Sequence, residues 1–381
     1  MTLFPPSSAM DKIAKMIRFH QTGRPDVLKV EDAPLRTLKA GEVLVRMQAL
    51  GLSRIDALWR EGSYFEQPVF PSGIGYDAAG VIESVGPGVH RIKVGDRVST
   101  LPAVSLVDYP AHGESAVYPE TGLFVYPQNL SAEQAASANL GLFTAYFALV
   151  ELARMEPDHF VVITAASSSM GMAAIQLAKV LGTKCIAVTR SEGKRNRLLQ
   201  AGADHVVVAG SEDVQETVLE ITDGEGADVV YDGVAGPGLE ELVWATRRRG
   251  SVIVYGYLGA MDATTRLPLG ACFLRGINLY PSFKVFDYTG NPKLGICGNP
   301  AALERAKTFI SAGLASGVLK PAIDRVFDGL GICPRSPIHL RQHPQRQNHR
   351  VAKLASLEVL FQQWTLSGQS RRSGPAPTAV R

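Results

Sequence analysis

Apolar strands alternate with helical segments through the middle of the chain, and no other feature limits the fold as strongly. The runs at 160–163 and 185–188 are wholly apolar, and helical patterns follow them at 172–181 and 193–201. Further apolar runs continue the series at 206–208, 229–231 and 252–254. Strands that are apolar on both faces and separated by helices predict an α/β domain with a doubly wound parallel sheet. Such a sheet binds ligands at the carboxyl ends of its strands.

The first third of the chain has a different pattern. Short β-rich runs, among them 43–47 and 80–85, are separated by turns that are rich in glycine and proline. This pattern is typical of an all-β, barrel-like domain. It ends near Ser131, which is a predicted N-cap with Gln134 in the capping-box position, so a helix is expected over 132–152.

Length and cysteine content limit the class of protein. At 381 residues the chain is long enough for two domains. Its four cysteines are scattered without a C-x-x-C pair, which argues against a disulfide framework and against a cysteine-rich structural zinc site. The sequence shows no signal peptide and no apolar stretch of the roughly 20 residues that span a bilayer. We therefore expect a soluble protein of the reducing cytoplasm.

The positive charge of the chain is concentrated near its end. The formal net charge is +3, but residues 332–381 hold eight Lys or Arg and one Glu, which leaves 31 basic and 35 acidic residues elsewhere. A basic tail attracts polyanions without sequence preference. No motif that reads RNA or DNA is present, so no specific nucleic-acid partner is expected.

A turn of small residues follows the first apolar strand of the parallel sheet. It runs from Thr164 to Gly171, and its small side chains would let the diphosphate of a dinucleotide approach the N–H groups at a helix N-terminus. The alternative is a plain helix-capping turn, because only Gly171 remains of the usual glycine-rich pattern. The predicted cofactor-binding residues of this turn are Ala166, Ser168, Ser169, Met170 and Gly171.

The second strand of the sheet indicates which dinucleotide is bound. NAD-binding domains carry Asp or Glu near the end of this strand to hold the ribose hydroxyls. Here Arg190, Ser191 and Lys194 occupy that region, and no acid precedes Glu192. Cationic and hydroxyl groups suit the additional phosphate of NADPH. NADPH is therefore the predicted cofactor, and a solvated basic helix start is the alternative.

Several segments, taken in order, resemble the quinone oxidoreductase and enoyl reductase branch of the medium-chain dehydrogenase/reductase superfamily. The resemblance covers roughly residues 16–330, and the order of the motifs is more specific than any single motif. The matching segments are 19–28, 75–80, 141–146, the turn at 166–171, 230–234 and 316–321.

The resemblance implies an architecture and a place for the active site. It implies a GroES-like β-barrel catalytic domain, an inserted Rossmann domain that binds NADPH, and an active site in the cleft between them. The implied divisions are 1–135, 136–275, a return to the catalytic domain over 276–331, and a tail at 332–381. The resemblance further places Thr144 and the loop that contains Gly256 near the nicotinamide, and implies a homodimer.

Zinc-dependent relatives hold a catalytic metal with cysteine and histidine. The positions that correspond to those ligands here are Ser53, Tyr76 and Leu140. Zinc requires thiolate, imidazole or carboxylate ligands in a tetrahedral arrangement, which these residues do not offer. No metal site is therefore expected, and alcohol oxidation by a zinc Lewis acid is disfavoured.

Without zinc, hydride must go to a carbon that is already electrophilic, as in a quinone or an α,β-unsaturated carbonyl or enoyl thioester. A phenol could then stabilise the substrate oxygen or deliver a proton. Tyr64 is the catalytic candidate, because it matches a tyrosine that follows glycine in related enoyl thioester reductases. The alternative is that Tyr64 only lines the cleft. Two other functions stay open: a zinc-type alcohol dehydrogenase, and a protein that binds NADPH without turnover.

The chain departs from the family after residue 331. Relatives continue with an Ala/His-rich helix and a terminal strand ending in Gly-Lys-Ile-Val, whereas residues 332–381 hold Arg, Gln, His and Pro clusters that suit neither a core helix nor a strand. This atypical basic tail is expected to be disordered or to result from a shifted reading frame. Residues 344–351 can be encoded so that the next frame gives Arg-Asn-Gly-Lys-Ile-Ile-Val.

Overall fold

The computed structural model describes residues 12–259, 268–328 and 349–353. Its first part consists of short strands, as the β-branched runs between glycine and proline turns predict. Helix α1 (Arg54–Glu61) interrupts them. The strands are β1 (Ile13–Phe19), β2 (Lys29–Pro34), β3 (Glu42–Leu52), β4 (Ser72–Gly73), β5 (Asp77–Val85), β6 (Arg97–Thr100), β7 (Ser115–Pro119) and β8 (Leu123–Val125).

These strands form the GroES-like barrel domain. Strand β3 pairs antiparallel with β5 and with β7, and β5 continues through β6 to β8. Strand β1 pairs antiparallel with β2 on one side and with β4 on the other, which makes a separate small sheet. The fully buried side chains of Trp59, Phe19 and Tyr118 fill the space between these layers.

The helix expected over 132–152 is divided in two. Helix α2 (Ala132–Ala136) begins with the predicted capping box, in which Ser131 Oγ accepts from Gln134 N at 3.2 Å and Gln134 Oε1 accepts from Ser131 N at 2.9 Å. Helix α3 (Asn139–Tyr146) follows, and a π-helical turn continues it over Phe147–Leu152. The division occurs where the buried Asn139 side chain donates to Ser99 Oγ and Thr100 O, both at 2.8 Å. This contact joins Asn139 to β6, which is distant in the sequence, so no local sequence pattern indicates it.

A six-stranded parallel sheet forms the second domain. Its order is β11-β10-β9-β12-β13-β14, so the direction of winding reverses between β9 and β12. This is the doubly wound Rossmann arrangement predicted from the sequence. The strands are β9 (Phe160–Ile163), β10 (Lys184–Thr189), β11 (His205–Val208), β12 (Ala227–Asp232), β13 (Thr246–Val254) and β14 (Asn278–Tyr280), and the helices are α4 (Ser169–Val180), α5 (Arg195–Ala201), α6 (Val214–Ile221), α7 (Leu239–Trp244) and α8 (Leu269–Arg275).

The sheet is buried on both faces, as its apolar strands require. Within β9, Val161 and Ile163 belong to the core shared with the barrel domain, whereas Val162 belongs to a second core on the opposite face. This alternation follows from the period of two in a strand. In the described part of the chain, no helix has the length and apolar character needed to cross a membrane.

After β14 the chain returns to the barrel domain. The returning elements are α9 (Phe286–Thr289), α10 (Pro300–Ser316), β15 (Ile323–Asp328) and β16 (His349–Lys353). Helix α10 has Asn299 as N-cap, Pro300 at its first position and Gly317 in the left-handed conformation at its end. Strand β14 lies just beyond the boundary predicted at residue 275, and the division into domains stays a prediction.

Strand β16 corrects one expectation about the tail. We expected no strand in residues 332–381, but His349–Lys353 pairs parallel with β15 and antiparallel with β3. The pairing uses backbone N–H and C=O groups, which every residue except proline offers, so residue composition did not reveal it. The remainder of this tail lies outside the described residues, and its disorder or shifted frame stays a prediction.

Candidate active site

The turn between β9 and α4 has the geometry of an anion site. Ser168 caps α4 by accepting from Gly171 N at 3.0 Å. A Cβ at position 171 would lie 2.5 Å from Ala166 O, so glycine is required where the helix presses on the turn. Ser169 and Met170 open the helix and are half-buried. The N–H groups in the first turn of a helix lack intrahelical partners and bind anions readily.

The basic segment after β10 reaches this turn. Lys194 Nζ donates to Ser167 Oγ at 2.9 Å. Between the end of β10 and Lys194 in the sequence, Arg190 is exposed and Ser191 is half-buried. Lys194 therefore lies beside the turn, and the role of both segments in holding a cofactor stays a prediction.

The acid that follows these residues is already engaged. Glu192 accepts from Arg195 Nε at 2.7 Å, and this ion pair lowers the pKa of the Glu192 carboxyl. Arg195 also donates to Glu212 at 2.7 Å. Because Glu192 and Arg195 are engaged in these ion pairs, neither is expected to bind the ribose.

The ends of β9 and β12 are locked together at the topological switch point. Asp232 accepts from Val234 N at 3.0 Å, from Ala235 N at 2.8 Å and from the Thr164 hydroxyl. Burial raises the pKa of Asp232, and these hydrogen bonds oppose the shift. Asp232 lies in the matching segment 230–234, but no role was predicted for it. A polar residue at the carboxyl end of a buried central strand was the available signal.

The loop after β13 packs against the end of β12. The ring of Tyr255 stacks on Tyr231 with centroids 4.0 Å apart, and Tyr255 N donates to Asp232 O at 2.9 Å. A Cβ on Gly233 would lie 2.5 Å from Tyr255 Oη, and one on Gly256 would lie 3.0 Å from Gly233 O. Gly256 therefore lies against Gly233 after the end of β12, and its place near the nicotinamide stays a prediction.

Thr144 is placed differently from the other predicted cofactor residues. It is buried in α3, where its hydroxyl donates to Leu140 O at 2.6 Å. A hydroxyl bonded within its own helix has its proton engaged. The place of Thr144 beside the nicotinamide stays a prediction.

Tyr64 lies in the barrel domain just after α1 ends at Gly62, which has φ of 71°. Its buried ring contacts Trp59 and Tyr76, with centroids 6.3 and 6.4 Å away. The ring of Tyr76 in turn contacts that of Phe286 in α9, with centroids 6.3 Å apart. Burial raises the pKa of Tyr64 well above its usual value. Tyr64 therefore belongs to a group of aromatic rings that connects the barrel strands with α9.

The positions that correspond to zinc ligands do not form a zinc site. Ser53 N donates to Asp56 Oδ2 at 2.8 Å in the capping box of α1, and Tyr76 Oη donates to Val104 O at 2.8 Å. Leu140 has no donor atom. Throughout residues 12–259, 268–328 and 349–353, no group of three or more His, Cys, Asp or Glu is arranged to hold a metal ion. The donor chemistry here does not fit zinc.

Comparison with known proteins identifies the family. An alcohol dehydrogenase GroES-like domain matches residues 39–151, and a zinc-binding dehydrogenase domain matches residues 169–289. A quinone oxidoreductase of Salmonella typhimurium is 35% identical over 314 residues, which are 81% of this chain and 90% of the relative. The chain belongs to the medium-chain dehydrogenase/reductase superfamily, in its quinone oxidoreductase branch. The resemblance inferred from the motifs is confirmed.

Other members of the superfamily extend the comparison. A 2-haloacrylate reductase of a Burkholderia species is 32% identical over 255 residues, 65% of this chain and 74% of the relative. A crystal structure of Escherichia coli quinone oxidoreductase complexed with NADPH has a TM-score of 0.73 at 27% identity and covers 89% of this chain and all of that one. The protein is therefore an oxidoreductase of this superfamily, whose fold implies a nicotinamide cofactor.

Proposed function

We propose that this protein is an NADPH-dependent, zinc-independent reductase that donates hydride to a quinone or to an α,β-unsaturated carbonyl or enoyl thioester. The observation that carries the proposal is the contact of Lys194 Nζ with Ser167 Oγ at 2.9 Å, which joins the basic segment after β10 to the turn at the carboxyl edge of the parallel sheet. Ligands of doubly wound sheets bind at this edge. In this proposal, Tyr64 approaches the acceptor from the barrel domain.

The turn at 166–171 and the basic segment at 190–194 suit a phosphorylated dinucleotide. The N-terminus of α4 would hold the diphosphate, and Arg190, Ser191 and Lys194 would hold the additional phosphate of NADPH. The NADPH complex of the Escherichia coli relative supports this choice. NADPH, when bound, supplies the hydride.

Residues of the chain would then bind the acceptor and donate a proton to it. Because Ser53, Tyr76 and Leu140 offer no zinc ligands, the acceptor must be electrophilic without a metal. Tyr64 would donate its hydrogen bond to the acceptor oxygen, or its proton to the carbon next to the carbonyl. The core that surrounds Tyr64 excludes water and strengthens such a hydrogen bond.

Two acceptor classes remain within this proposal. Quinones need no dedicated proton donor, because solvent protonates the product, and the Salmonella typhimurium quinone oxidoreductase supports this class. Activated alkenes benefit from Tyr64, and the Burkholderia 2-haloacrylate reductase supports them.

One assay tests the proposal. NADPH oxidation is followed optically with 1,4-benzoquinone, a crotonyl thioester, an alkenal and a simple ketone, each with and without a zinc chelator. We expect turnover of an activated acceptor that the chelator does not reduce. Turnover of the ketone alone, or loss of activity on chelation, would contradict it and favour the zinc-type alcohol dehydrogenase.

We further propose a cytoplasmic homodimer. The edge of β14 that faces away from β13 pairs with no strand of the described residues, and α8 beside it exposes Leu269, Phe273 and Leu274. An exposed strand edge with apolar neighbours suits a second copy related by a two-fold axis. Three unpaired cysteines, Cys185, Cys272 and Cys297, support the reducing compartment.

A further inference from the structure

A buried carboxylate behind Tyr64 is held in place by two donors from distant segments. Glu66 Oε1 accepts from Asn291 Nδ2 at 2.6 Å, and Glu66 Oε2 accepts from the Ser105 hydroxyl. All three side chains are buried, and Asn291 is 225 residues away in the sequence. Glu66 therefore ties the Tyr64 loop to the segment that returns from the parallel sheet.

The orientation of both donors is fixed by other hydrogen bonds. Asn291 Oδ1 accepts from the N–H groups of Lys293 and Leu294 at 3.1 and 3.3 Å, so its NH₂ group must face Glu66. Ser105 Oγ accepts from Val107 N at 3.1 Å, so its single proton is directed to Glu66. Two fixed donors, one on each oxygen, are the partners of an ionised carboxylate.

This charge acts on the part of the cleft where an acceptor would bind. Burial raises the pKa of both Tyr64 and Tyr76, and the charge of Glu66 raises each further. The other groups that act most strongly on these phenols are tyrosines and Asp56, and none of them is cationic. In the described residues, no Lys, Arg or His forms an ion pair with Glu66. Glu66 therefore places a negative charge two residues after Tyr64, with no ion-pair partner among the described residues.

We propose that Glu66 makes this cleft select uncharged acceptors and reject those that carry a carboxylate. The inference rests on the proposed function, because it takes Tyr64 to line the acceptor site. Two like charges roughly 5–8 Å apart at an effective dielectric constant of about 20 repel enough to lower affinity about 30- to 300-fold. Quinones, enones and neutral esters are unaffected in the ground state, whereas a free haloacrylate binds more weakly by this factor.

The test compares a charged acceptor with its uncharged isostere. In 2-chloroacrylate and in 2-chloroacrylamide alike, hydride from NADPH forms the C–H bond at C3, the C2–C3 π bond breaks, and a proton from Tyr64 or solvent adds at C2. The charge that develops during hydride transfer is common to both. The ratio of their kcat/KM values therefore isolates the charge carried by the substrate.

The variant Glu66→Gln keeps the shape of the side chain and removes its charge, and its NH₂ group can face Ser105. We expect the amide-to-acid ratio of kcat/KM to fall about 30- to 300-fold in Glu66→Gln relative to the wild type. Ser105→Ala is the matched control, since it removes a donor and leaves the charge, and it should keep the wild-type ratio. An unchanged ratio in Glu66→Gln would overturn the inference.

An equilibrium measurement separates this inference from the proposed function. Calorimetry gives the affinities of the NADP⁺-loaded wild type for 2-chloropropionamide and 2-chloropropionate, which need no turnover. Tighter binding of the amide is expected, and a carboxylate that binds as tightly as the amide would overturn charge selection even if Glu66→Gln does not fold. Absence of NADPH oxidation with every acceptor would instead overturn the proposed function alone.

Discussion

At the scale of single residues, the hydroxyl of Tyr64 is the atom whose removal separates the two acceptor classes. Tyr64→Phe keeps the ring that packs on Trp59 and Tyr76. We expect kcat for a crotonyl thioester to fall about 100-fold, as for loss of a general acid, and kcat for 1,4-benzoquinone to change less than about threefold. Steady-state NADPH oxidation measures both values.

Tyr126→Phe is the control, because it removes a buried phenol hydroxyl that accepts from Arg97 Nε in the barrel domain. It should leave both rates unchanged. An equal loss with both acceptors in Tyr64→Phe would mean that Tyr64 is only a wall of the cleft.

The contact of Lys194 with Ser167 carries the prediction about the cofactor. Lys194→Ala should weaken NADPH binding about 10- to 100-fold, since a charge-assisted hydrogen bond to phosphate is lost, and should leave NADH binding nearly unchanged. Quenching of protein fluorescence gives both dissociation constants. Lys184→Ala, at the opposite end of β10, should alter neither, and equal weakening of both cofactors would contradict a phosphate contact.

Glu42 makes stability depend on acid pH. Hydrogen bonding with Arg36 lowers the pKa of this buried carboxyl to about 2, so the folded state holds its proton less tightly than the unfolded chain. The resulting stabilisation, about 1–3 kcal/mol, is present above the unfolded pKa near 4.5 and is lost as the pH falls toward 2.

Urea unfolding of the wild type and of Glu42→Gln between pH 7 and pH 3 checks this sign. The difference in unfolding free energy should be largest at pH 7 and shrink as the pH falls. Glu225→Gln, at an exposed site, should show no such change. A difference that grows toward acid pH would refute the assignment.

At the scale of helices and strands, local patterns predicted the elements that are buried on both sides. Strand β9 begins and ends where its apolar run does, and Ser131 caps α2 as expected. What the patterns missed depends on partners far away in sequence: the break before Asn139, set by β6, and β16, set by backbone pairing. Such contacts leave no local signal. The hydrogen bond from Asn291 to Glu66 is of the same kind.

Strand β16 gives a test that uses its backbone alone. Val351 pairs with Val326 on one side and with Gly51 on the other. Val351→Pro removes an N–H from a strand that is flanked on both sides, so we expect a loss of about 3 kcal/mol in stability and a lower Tm. Val351→Thr keeps the N–H and should come close to the wild type. If both variants have the same Tm as the wild type, β16 contributes nothing to stability.

The reading frame of residues 332–381 would also decide whether a helix and a strand form there. The gene sequence around codon 331 decides whether the next frame encodes the expected family ending. If it does, restoring that frame should raise the Tm, because a regular helix and strand would bury additional apolar surface at about 25 cal/mol per Å².

At the scale of the whole molecule, the apolar face of α8 predicts the oligomeric state. Phe273 is 87% exposed beside the open edge of β14. Phe273→Asp should shift the protein from dimer to monomer in light scattering coupled to size-exclusion chromatography, because a charge would be buried at the two-fold axis. Val180→Asp, another exposed apolar position, should leave the dimer intact. A wild type that elutes as a monomer would rule out this interface.

The link between Glu66 and Asn291 also sets an order of events during synthesis. Of the cleft residues that the structure describes, Asn291 is the last to leave the ribosome. A nascent chain that ends before it can already hold the turn at 166–171 and strands β9 to β13, but its Glu66 lacks one of its two donors. The nucleotide half of the cleft can therefore mature before the acceptor half, which waits for the final quarter of the chain.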